Sequence, residues 1–301
     1  MLFNKIKDQD FETIKNIQSK TLYNGSEWSK LYLKVWDFFN YDTMEFACEN
    51  DIAFIRFKVL EKFKKWIKQD VLYLPPMCDI SKVKDAINMA REQAKSENQA
   101  FAMLGVPQEY IDALGECDLS VTNIIAQNEY LYSTQDLIEL KGKKYHSKRN
   151  HVAAFDKKYN FTFRKYEDSN RCDVEKLLLK WEGTQDQEYM NQDRESEEIA
   201  IRKSLEMANE DNIYAYVLYV GDNLVGFTLG EITPSNVGIV HIEKADIEYD
   251  GAYPKLANMF VKEVLKDARI INRQEDMGDE GLRKSKLSFR PIGYAMKYFL
   301  N

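Results

Sequence analysis

A hairpin, a long strand and an apolar helix, in that order, limit the fold of this chain more than any other feature. Tyr214–Val220 and Leu224–Glu231 have strand-like composition and flank the turn Gly221-Asp222-Asn223. Val237–Tyr249 then forms a third strand, and apolar residues recur at i, i+3 and i+4 from Tyr253 to Ala268. This order predicts three antiparallel strands with a helix packed back on them.

The elements around this core extend the pattern over the whole second half. A strand at 161–166 and helices at about 172–183 and 195–209 precede the hairpin, while a short strand near 270–271 and a helix around 282–287 follow the apolar helix. This is the element order of the GNAT acyltransferase fold.

The first half repeats the order in a weaker form. Apolar residues from Trp28 to Phe39 form a helical stripe, and Thr43–Cys48 and Asp51–Val59 look like two strands around a turn. The chain is therefore predicted to be an α+β protein with mixed sheets, built as two tandem GNAT-like acyltransferase domains. The predicted limits are 1–139 for a degenerate N-terminal domain, 140–158 for a connecting basic helix and 159–301 for a C-terminal domain that carries the site.

Composition excludes several classes of protein. The formal charge of −7 over 301 residues argues against a general nucleic-acid binder, which needs an excess of Lys and Arg. No apolar run reaches the roughly 18 residues of a spanning helix, and the N-terminus does not resemble a signal peptide, so a cytoplasmic protein is expected. The four cysteines lie far apart and the three histidines have no metal-ligand spacing, so free thiols and no metal site are expected.

Three stretches carry a specific resemblance. They are LKGKKYHSKRNH at 140–151, HIEKA at 241–245 and INRQEDMGDEGLRKSKLSF at 271–289. With them the chain resembles the bacterial family grouped with the C-terminal domain of phosphatidylglycerol lysyltransferase, over nearly its whole length. The resemblance implies an acyl- or aminoacyl-transferase, related to the peptidyltransferases that take amino acids from aminoacyl-tRNA. The donor, tRNA-bound or acyl-CoA, and the acceptor, a lipid, a peptide or a small amine, stay open.

Charged residues on the third strand are the catalytic candidates. Strict alternation places His241 and Glu243 on one face and Lys244 on the other, where a central strand should be apolar. A buried Glu with a raised pKa beside a His can act as a general base, so Glu243, His241 and Lys244 are predicted as catalytic. The alternative is a buried network that pairs His241 with Glu243 and Lys244 with Asp246.

Two charged segments are candidates for binding the donor. The run from Lys141 to Arg149 is basic throughout and suits phosphate, or else is a solvated helix face. In the segment from Arg273 to Arg290, acids that suit an ammonium group precede cations that suit phosphate, or the segment is an ion-pair lattice. The predicted donor- or phosphate-binding residues are Arg273, Glu275, Asp276, Arg283, Lys284, Lys286, Lys143, Lys144 and Arg149.

The turn after the third strand departs from the GNAT pattern. A GNAT enzyme has a glycine-rich pyrophosphate loop there, whereas Tyr249–Lys255 contains one glycine, an acid and a proline. This favours an aminoacyl donor, whose oxyanion would meet backbone amides near Ala245–Ile247, or a non-catalytic binding protein on a GNAT scaffold. A CoA-dependent N-acetyltransferase with a variant loop is the remaining alternative.

Overall fold

The chain forms two compact units. The computed structural model describes residues 1–183, 191–210 and 212–301. Unit 1 comprises Met1–Glu129, Glu275–Asp279 and Tyr294–Asn301, and unit 2 comprises Tyr130–Gln274 and Glu280–Gly293. The predicted limits differ from these units, because residues 130–158 belong to unit 2 and the last eight residues belong to unit 1.

Unit 1 contains one seven-stranded sheet and four helices. Its first six strands are β1 (Asn4–Lys5), β2 (Glu45–Glu49), β3 (Ile52–Lys58), β4 (Val71–Tyr73), β5 (Met103–Val106) and β6 (Val121–Asn123). Its helices are α1 (Asp10–Gln18), α2 (Lys30–Val35), α3 (Val83–Ser96) and α4 (Gln108–Leu114). The apolar stripe of α3 is fully buried, since Val83, Ala86, Ile87, Ala90 and Ala94 recur at helical spacing and pack in one core cluster.

The described residues of unit 2 form a second mixed sheet and six helices. Its strands are β7 (Glu129–Tyr132), β8 (Phe161–Lys165), β9 (Ile213–Val220), β10 (Asn223–Ile232), β11 (Val237–Ala245), β12 (Ile270–Asn272) and β13 (Gly293–Ala295), of which β7 begins and β13 ends in unit 1. Its helices are α5 (Thr134–Glu139), α6 (His146–Lys158), α7 (Arg171–Gly183), α8 (Asn191–Glu206), α9 (Ala252–Glu263) and α10 (Glu280–Ser288). In the described part of the chain, no helix is both long and apolar enough to cross a membrane.

The last strand, β14 (Tyr298–Leu300), completes the sheet of unit 1. It lies between β5 and β6, so the order is β1-β2-β3-β4-β5-β14-β6. The second sheet has the order β13-β7-β12-β11-β10-β9-β8. The predicted hairpin and third strand are β9, β10 and β11, which pair antiparallel as expected. Helix α9 packs its apolar face on them through Leu256, Phe260 and Val261.

Two predicted elements end earlier than the sequence suggested. The strand predicted to reach Tyr249 stops at Ala245, because the Asp246 carboxylate accepts the Glu248 amide at 3.0 Å and bends the chain. The helix predicted from Trp28 to Phe39 covers only α2, followed by a 3-10 turn at 37–39. The α+β class with two mixed sheets is confirmed.

Candidate functional site

The site in unit 2 lies where two parallel strands part. Strand β11 pairs with β12 only through Val237–Ile239, and then continues to Ala245 beside β10. The backbone beyond β12 instead pairs with β7, because the Arg273 amide donates to the Tyr130 carbonyl at 3.1 Å. Side chains from this segment therefore fill the space between the diverging strands.

A buried ion pair closes this space. Nη2 of Arg273 donates to Oε1 of Glu243 at 2.7 Å, and the two side chains are 10% and 11% exposed. Burial raises the pKa of Glu243, and the charge of Arg273 opposes that increase. The structure therefore joins two residues that the sequence analysis assigned to different roles.

Each partner of this pair keeps one polar atom without a hydrogen bond. Oε2 of Glu243 and Nη1 of Arg273 are both buried and have no partner in the described part of the chain. Both residues line a cavity of about 10 Å³, which has room for about one water molecule. The remaining lining residues are Leu137, Val240, Ala257, Asn258, Val261 and Phe289. A hydrogen-bond acceptor and a cationic donor thus lie side by side in an enclosed apolar setting.

Two lysines surround the pair. Nζ of Lys148, on α6, lies 4.1 Å from the centroid of the Phe289 ring, and the Arg273 guanidinium lies 4.5 Å from the same centroid. Burial and the charge of Arg273 lower the pKa of Lys148 to about 8, although Glu243 opposes this. Nζ of Lys286 donates to the Arg273 carbonyl at 2.7 Å, which fixes the backbone that presents the guanidinium. One carboxylate therefore faces three cationic side chains.

Sequence reasoning missed Lys148, Asn258 and Phe289. Lys148 lies inside the basic run that was singled out, but a run of like charges does not show which member faces inward. Asn258 lies on the predominantly apolar helix α9, Phe289 directly follows α10, and Asn258 also donates to the carbonyl oxygens of Leu137 and Ile138 at 2.7 and 3.0 Å. The one signal in the sequence was a polar residue, Asn258, next to Ala257 of the apolar stripe of α9.

The predicted pairing of His241 with Glu243 is wrong. Nε2 of His241 binds Oε1 of Glu231 at 2.7 Å, and Nδ1 accepts from the Gln274 amide at 3.1 Å. Residue 241 is the extra residue of a β-bulge, because Leu229 pairs with Ile242 and Gly230 with Val240. The bulge interrupts the alternation, so Glu243 shares its side of the sheet with Val240.

Lys244 also has a different partner from the one proposed in the network alternative. Its Nζ binds Oε1 of Glu197 on α8 at 2.8 Å and lies over the Trp181 ring. Burial lowers the pKa of Lys244, and Glu197 partly offsets this. Asp246 binds Lys180 at 2.8 Å rather than Lys244. Lys244 thus ties β11 to α7 and α8.

Most of the basic run is held by partners within the α5–α6 connection. Lys144 binds Asp136 at 2.7 Å, and Nη1 of Arg149 donates to the carbonyl oxygens of Leu140 and Gly142 at 2.5 and 3.3 Å. Arg149 thereby stabilises the end of α5, where Leu140 has a φ of +50°. Lys143 is exposed.

The second charged segment is divided between the two units. Glu275 and Asp276 belong to unit 1, and the Asp276 carboxylate accepts the Gly278 amide at 2.8 Å. Arg283, Lys284 and Lys286 lie on α10 in unit 2, where Lys284 is exposed and Lys286 is buried. Of the predicted donor-binding residues, Arg273 lines the Glu243 cavity, and Lys286 lies next to it through its bond to the Arg273 carbonyl.

One of the amides expected to hold an oxyanion has an intramolecular partner. The Asp246 amide donates to the Val225 carbonyl at 2.9 Å. At the start of α9, a Cβ added to Gly251 would lie 2.6 Å from the His151 carbonyl oxygen. Helix α6 therefore packs directly against the turn at which a GNAT enzyme holds pyrophosphate.

Solved structures share this fold. A conserved protein of unknown function from Bacteroides thetaiotaomicron is 26% identical, with a TM-score of 0.83 over 99% of this chain and 98% of that one. The C-terminal domain of a putative lysylphosphatidylglycerol synthetase from Agrobacterium fabrum is 12% identical, with a TM-score of 0.65 over 97% of this chain and 91% of that domain. FemX is 10% identical, with a TM-score of 0.63 over 100% of this chain and 97% of FemX.

The sequence pattern of one family covers most of the chain. The model for the family described as phosphatidylglycerol lysyltransferase, C-terminal, matches residues 43–301. The match includes every residue of the Glu243 cavity and all three stretches that carry the resemblance, 140–151, 241–245 and 271–289. The chain therefore belongs to the phosphatidylglycerol lysyltransferase C-terminal family, and its fold is GNAT-like.

Proposed function

We propose that this protein is an aminoacyltransferase whose chemistry takes place at the Glu243–Arg273 pair. The observation that carries the proposal is the buried acceptor, Glu243 Oε2, beside the buried donor, Arg273 Nη1, both without a hydrogen-bond partner in an enclosed cavity. Buried polar atoms are nearly always paired, so two unpaired atoms at one cavity favour a polar site here, and a substrate larger than the water-sized cavity requires the lining side chains to move. Membership of a lysyltransferase family supports the same class of reaction.

The two atoms suit the two ends of an acyl transfer. Glu243, whose pKa is raised by burial, accepts the proton as the acceptor's hydroxyl or amine attacks the donor's ester carbon. Arg273 Nη1 donates to the carbonyl oxygen, where negative charge develops. The new bond joins the acceptor heteroatom to the carbonyl carbon, the bond to the ribose oxygen breaks, and that oxygen takes the proton back from Glu243. His241 and Lys244 act in this scheme by positioning β11.

An aminoacyl ester is the donor that fits best. The close approach of His151 to Gly251 leaves little room for a pyrophosphate at the start of α9, and Asp250 in the same turn would repel it. Lys143 and Lys284 are exposed in unit 2 and suit the phosphates of a tRNA acceptor stem. For the acceptor, the family name favours a hydroxyl of an anionic lipid.

The test is transfer of a radiolabelled amino acid from aminoacyl-tRNA to phosphatidylglycerol vesicles. Glu243→Gln removes the proton acceptor and should lower the rate on the order of 100-fold or more, and Arg273→Met should do the same by removing the oxyanion donor. Asp156→Asn is the matched control, since it also replaces the carboxylate of an ion pair. Asp156 binds Nζ of Lys255, a buried lysine on α9, at 2.6 Å. Its rate should stay within about twofold of the parent.

Other outcomes separate the alternatives. If acetyl-CoA binds in calorimetry and is consumed in a reaction that depends on Glu243, the donor is an acyl-CoA and not an aminoacyl ester. A protein that transfers nothing from any donor, and whose cellular phenotype is unchanged by Glu243→Gln, would be a binding protein on a GNAT scaffold.

A further inference from the structure

An exposed indole among lysines forms a distinct surface on unit 1. We call residues 61–70 the Lys–Trp segment; it contains Lys62, Lys64, Lys65 and Lys68 against Glu61 and Asp70, a net charge of +2 in a chain of −7. Trp66 within it is 64% exposed, a large exposure for this residue type. The segment lies outside the proposed transfer site, which is in unit 2.

The segment is anchored by its apolar residues and presents Trp66 outward. Phe63 and Ile67 pack against the core cluster of unit 1, and the Phe63 and Trp66 ring centroids are 6.4 Å apart. Lys64 holds the turn together, because its Nζ donates to the Gln69 carbonyl at 3.1 Å and binds Asp70. The exposed position of the indole is thus built into the fold of this loop.

Lysine charges accompany the indole. Nζ of Lys65 lies 3.8 Å from the Trp66 ring centroid, and Nζ of Lys68 donates to the carbonyl oxygens of Lys64 and Lys65 at 3.3 and 3.4 Å. Both lysines are exposed, and neither forms an ion pair with an acid among the described residues. An amphipathic ring with adjacent ammonium groups is the combination that prefers the headgroup region of a negatively charged bilayer.

We propose that the Lys–Trp segment docks unit 1 on an anionic lipid surface. Trp66 inserts at the level of the headgroups, while Lys65 and Lys68 attract the lipid phosphates. An RNA partner fits less well, because Lys65 covers a face of the indole on which a base would stack. One tryptophan and a few lysines give weak, reversible attachment, which suits a protein that must leave the surface again.

Vesicle sedimentation tests this without any donor or transfer reaction. The full chain should bind vesicles of equimolar phosphatidylcholine and phosphatidylglycerol, and binding to pure phosphatidylcholine should be much weaker. Replacing Lys65 and Lys68 by Gln should weaken binding on the order of 25-fold, at roughly fivefold per lysine, and added salt should weaken the parent. Brominated phosphatidylglycerol should quench the fluorescence of the parent but not of Trp66→Phe.

Two exposed lysines on another part of the chain provide the control. Lys157→Gln with Lys158→Gln removes two exposed lysines at the end of α6, one of them 5.0 Å from the Tyr159 ring centroid, and should leave binding within about twofold of the parent. Equal losses in both double variants would overturn the proposal, because the attraction would then be general. Binding of tRNA that depends on Lys65 and Lys68, with vesicle binding unaffected, would overturn it in favour of RNA. Failure of the transfer assay leaves this result untouched.

Discussion

At the scale of single residues, buried charges are the feature on which stability and reactivity depend. Unit 1 holds Lys297, Glu27 and Glu129 together, each less than about a tenth exposed. Nζ of Lys297 binds Glu27 and lies 3.1 Å from Glu129, while the Tyr23 hydroxyl donates to Glu27 at 2.7 Å. Burial raises the pKa of Glu27, Lys297 opposes this increase, and the nearby carboxylate of Glu129 adds to it.

Replacing Lys297 by Met should therefore destabilise the protein strongly. Two buried carboxylates would lose their counter-charge, so we expect the free energy of unfolding to fall by about 3–5 kcal/mol in urea titrations. Lys34→Met, which breaks a surface pair with Asp8 at 2.6 Å, should cost less than about 1 kcal/mol. Similar losses in the two variants would contradict a special role for the buried cluster.

The same cluster predicts the direction of a pH effect. The folded-state pKa of Glu27 lies above its ordinary value of 4.5, so the folded protein retains a proton that the unfolded chain releases. The free energy of unfolding therefore falls as the pH rises from 4.5 through the raised pKa of Glu27. Without Lys297 the pKa of Glu27 rises further. The stability deficit of Lys297→Met should hence be larger at neutral pH than near pH 4.5, which urea titrations at the two pH values can measure.

Lys148 provides a reactivity test of the proposed site. Because its pKa is about 8, acetylation by acetic anhydride, followed by mass spectrometry, should rise with a midpoint near pH 8. Glu243→Gln should lower this midpoint, since the carboxylate stabilises the ammonium form, and Arg273→Met should raise it. If neither substitution moves the midpoint, Lys148 does not interact electrostatically with Glu243 and Arg273.

At the scale of elements, the bulge in β11 decides which residues reach the cavity. Gly230 lies opposite it, and a Cβ at this glycine would lie 2.3 Å from the Ile239 carbonyl oxygen and 2.9 Å from the Phe260 ring. The bare backbone of Gly230 therefore lets β10, β11 and α9 approach closely. The position of Glu243 depends on a residue of the neighbouring strand.

Gly230→Ala should lower stability by about 1–3 kcal/mol, as overpacking in a core does, and should reduce transfer because β11 must shift. Thermal unfolding and the transfer assay give the two readouts. Gly293→Ala is the control, since nothing lies within 4 Å of its Cβ position. If both variants unfold at the same temperature as the parent, the close approach at Gly230 does not contribute to stability.

Features that depend on neighbouring residues were predictable, whereas features that depend on contacts between distant residues were not. Strands β9 to β11 and helix α9 were predictable because their apolar residues recur at regular spacing along the sequence. The misfit of Glu243 was visible for the same reason. Its partner Arg273, 30 residues away, and the bulge set by Gly230 depend on contacts between elements, which one sequence does not reveal.

At the scale of the whole molecule, the chain leaves unit 1 after Glu129 and returns to it twice. Its last strand, β14, pairs antiparallel with both β5 and β6. The sequence analysis assigned this segment to the C-terminal domain, because proximity along the chain was the only guide. The sheet of unit 1 is thus assembled from segments that are more than 170 residues apart in the sequence.

Deleting residues 298–301 should expose this dependence. Hydrogen exchange followed by mass spectrometry should show lost protection in Met103–Val106 and Val121–Asn123, whose partner strand is removed. The β9–β10 hairpin of unit 2 serves as the internal reference. Protection retained in Met103–Val106 would show that β5 is held without its C-terminal neighbour.

The insertion of β14 between two earlier strands also fixes an order of events during synthesis. The ribosome has made β5 and β6 long before Tyr298–Leu300 emerge, so the sheet of unit 1 is completed only after this later segment has left the ribosome. Until then the edges of β5 and β6 that receive β14 are open, and nascent chains are vulnerable to chaperone capture or to pairing with one another.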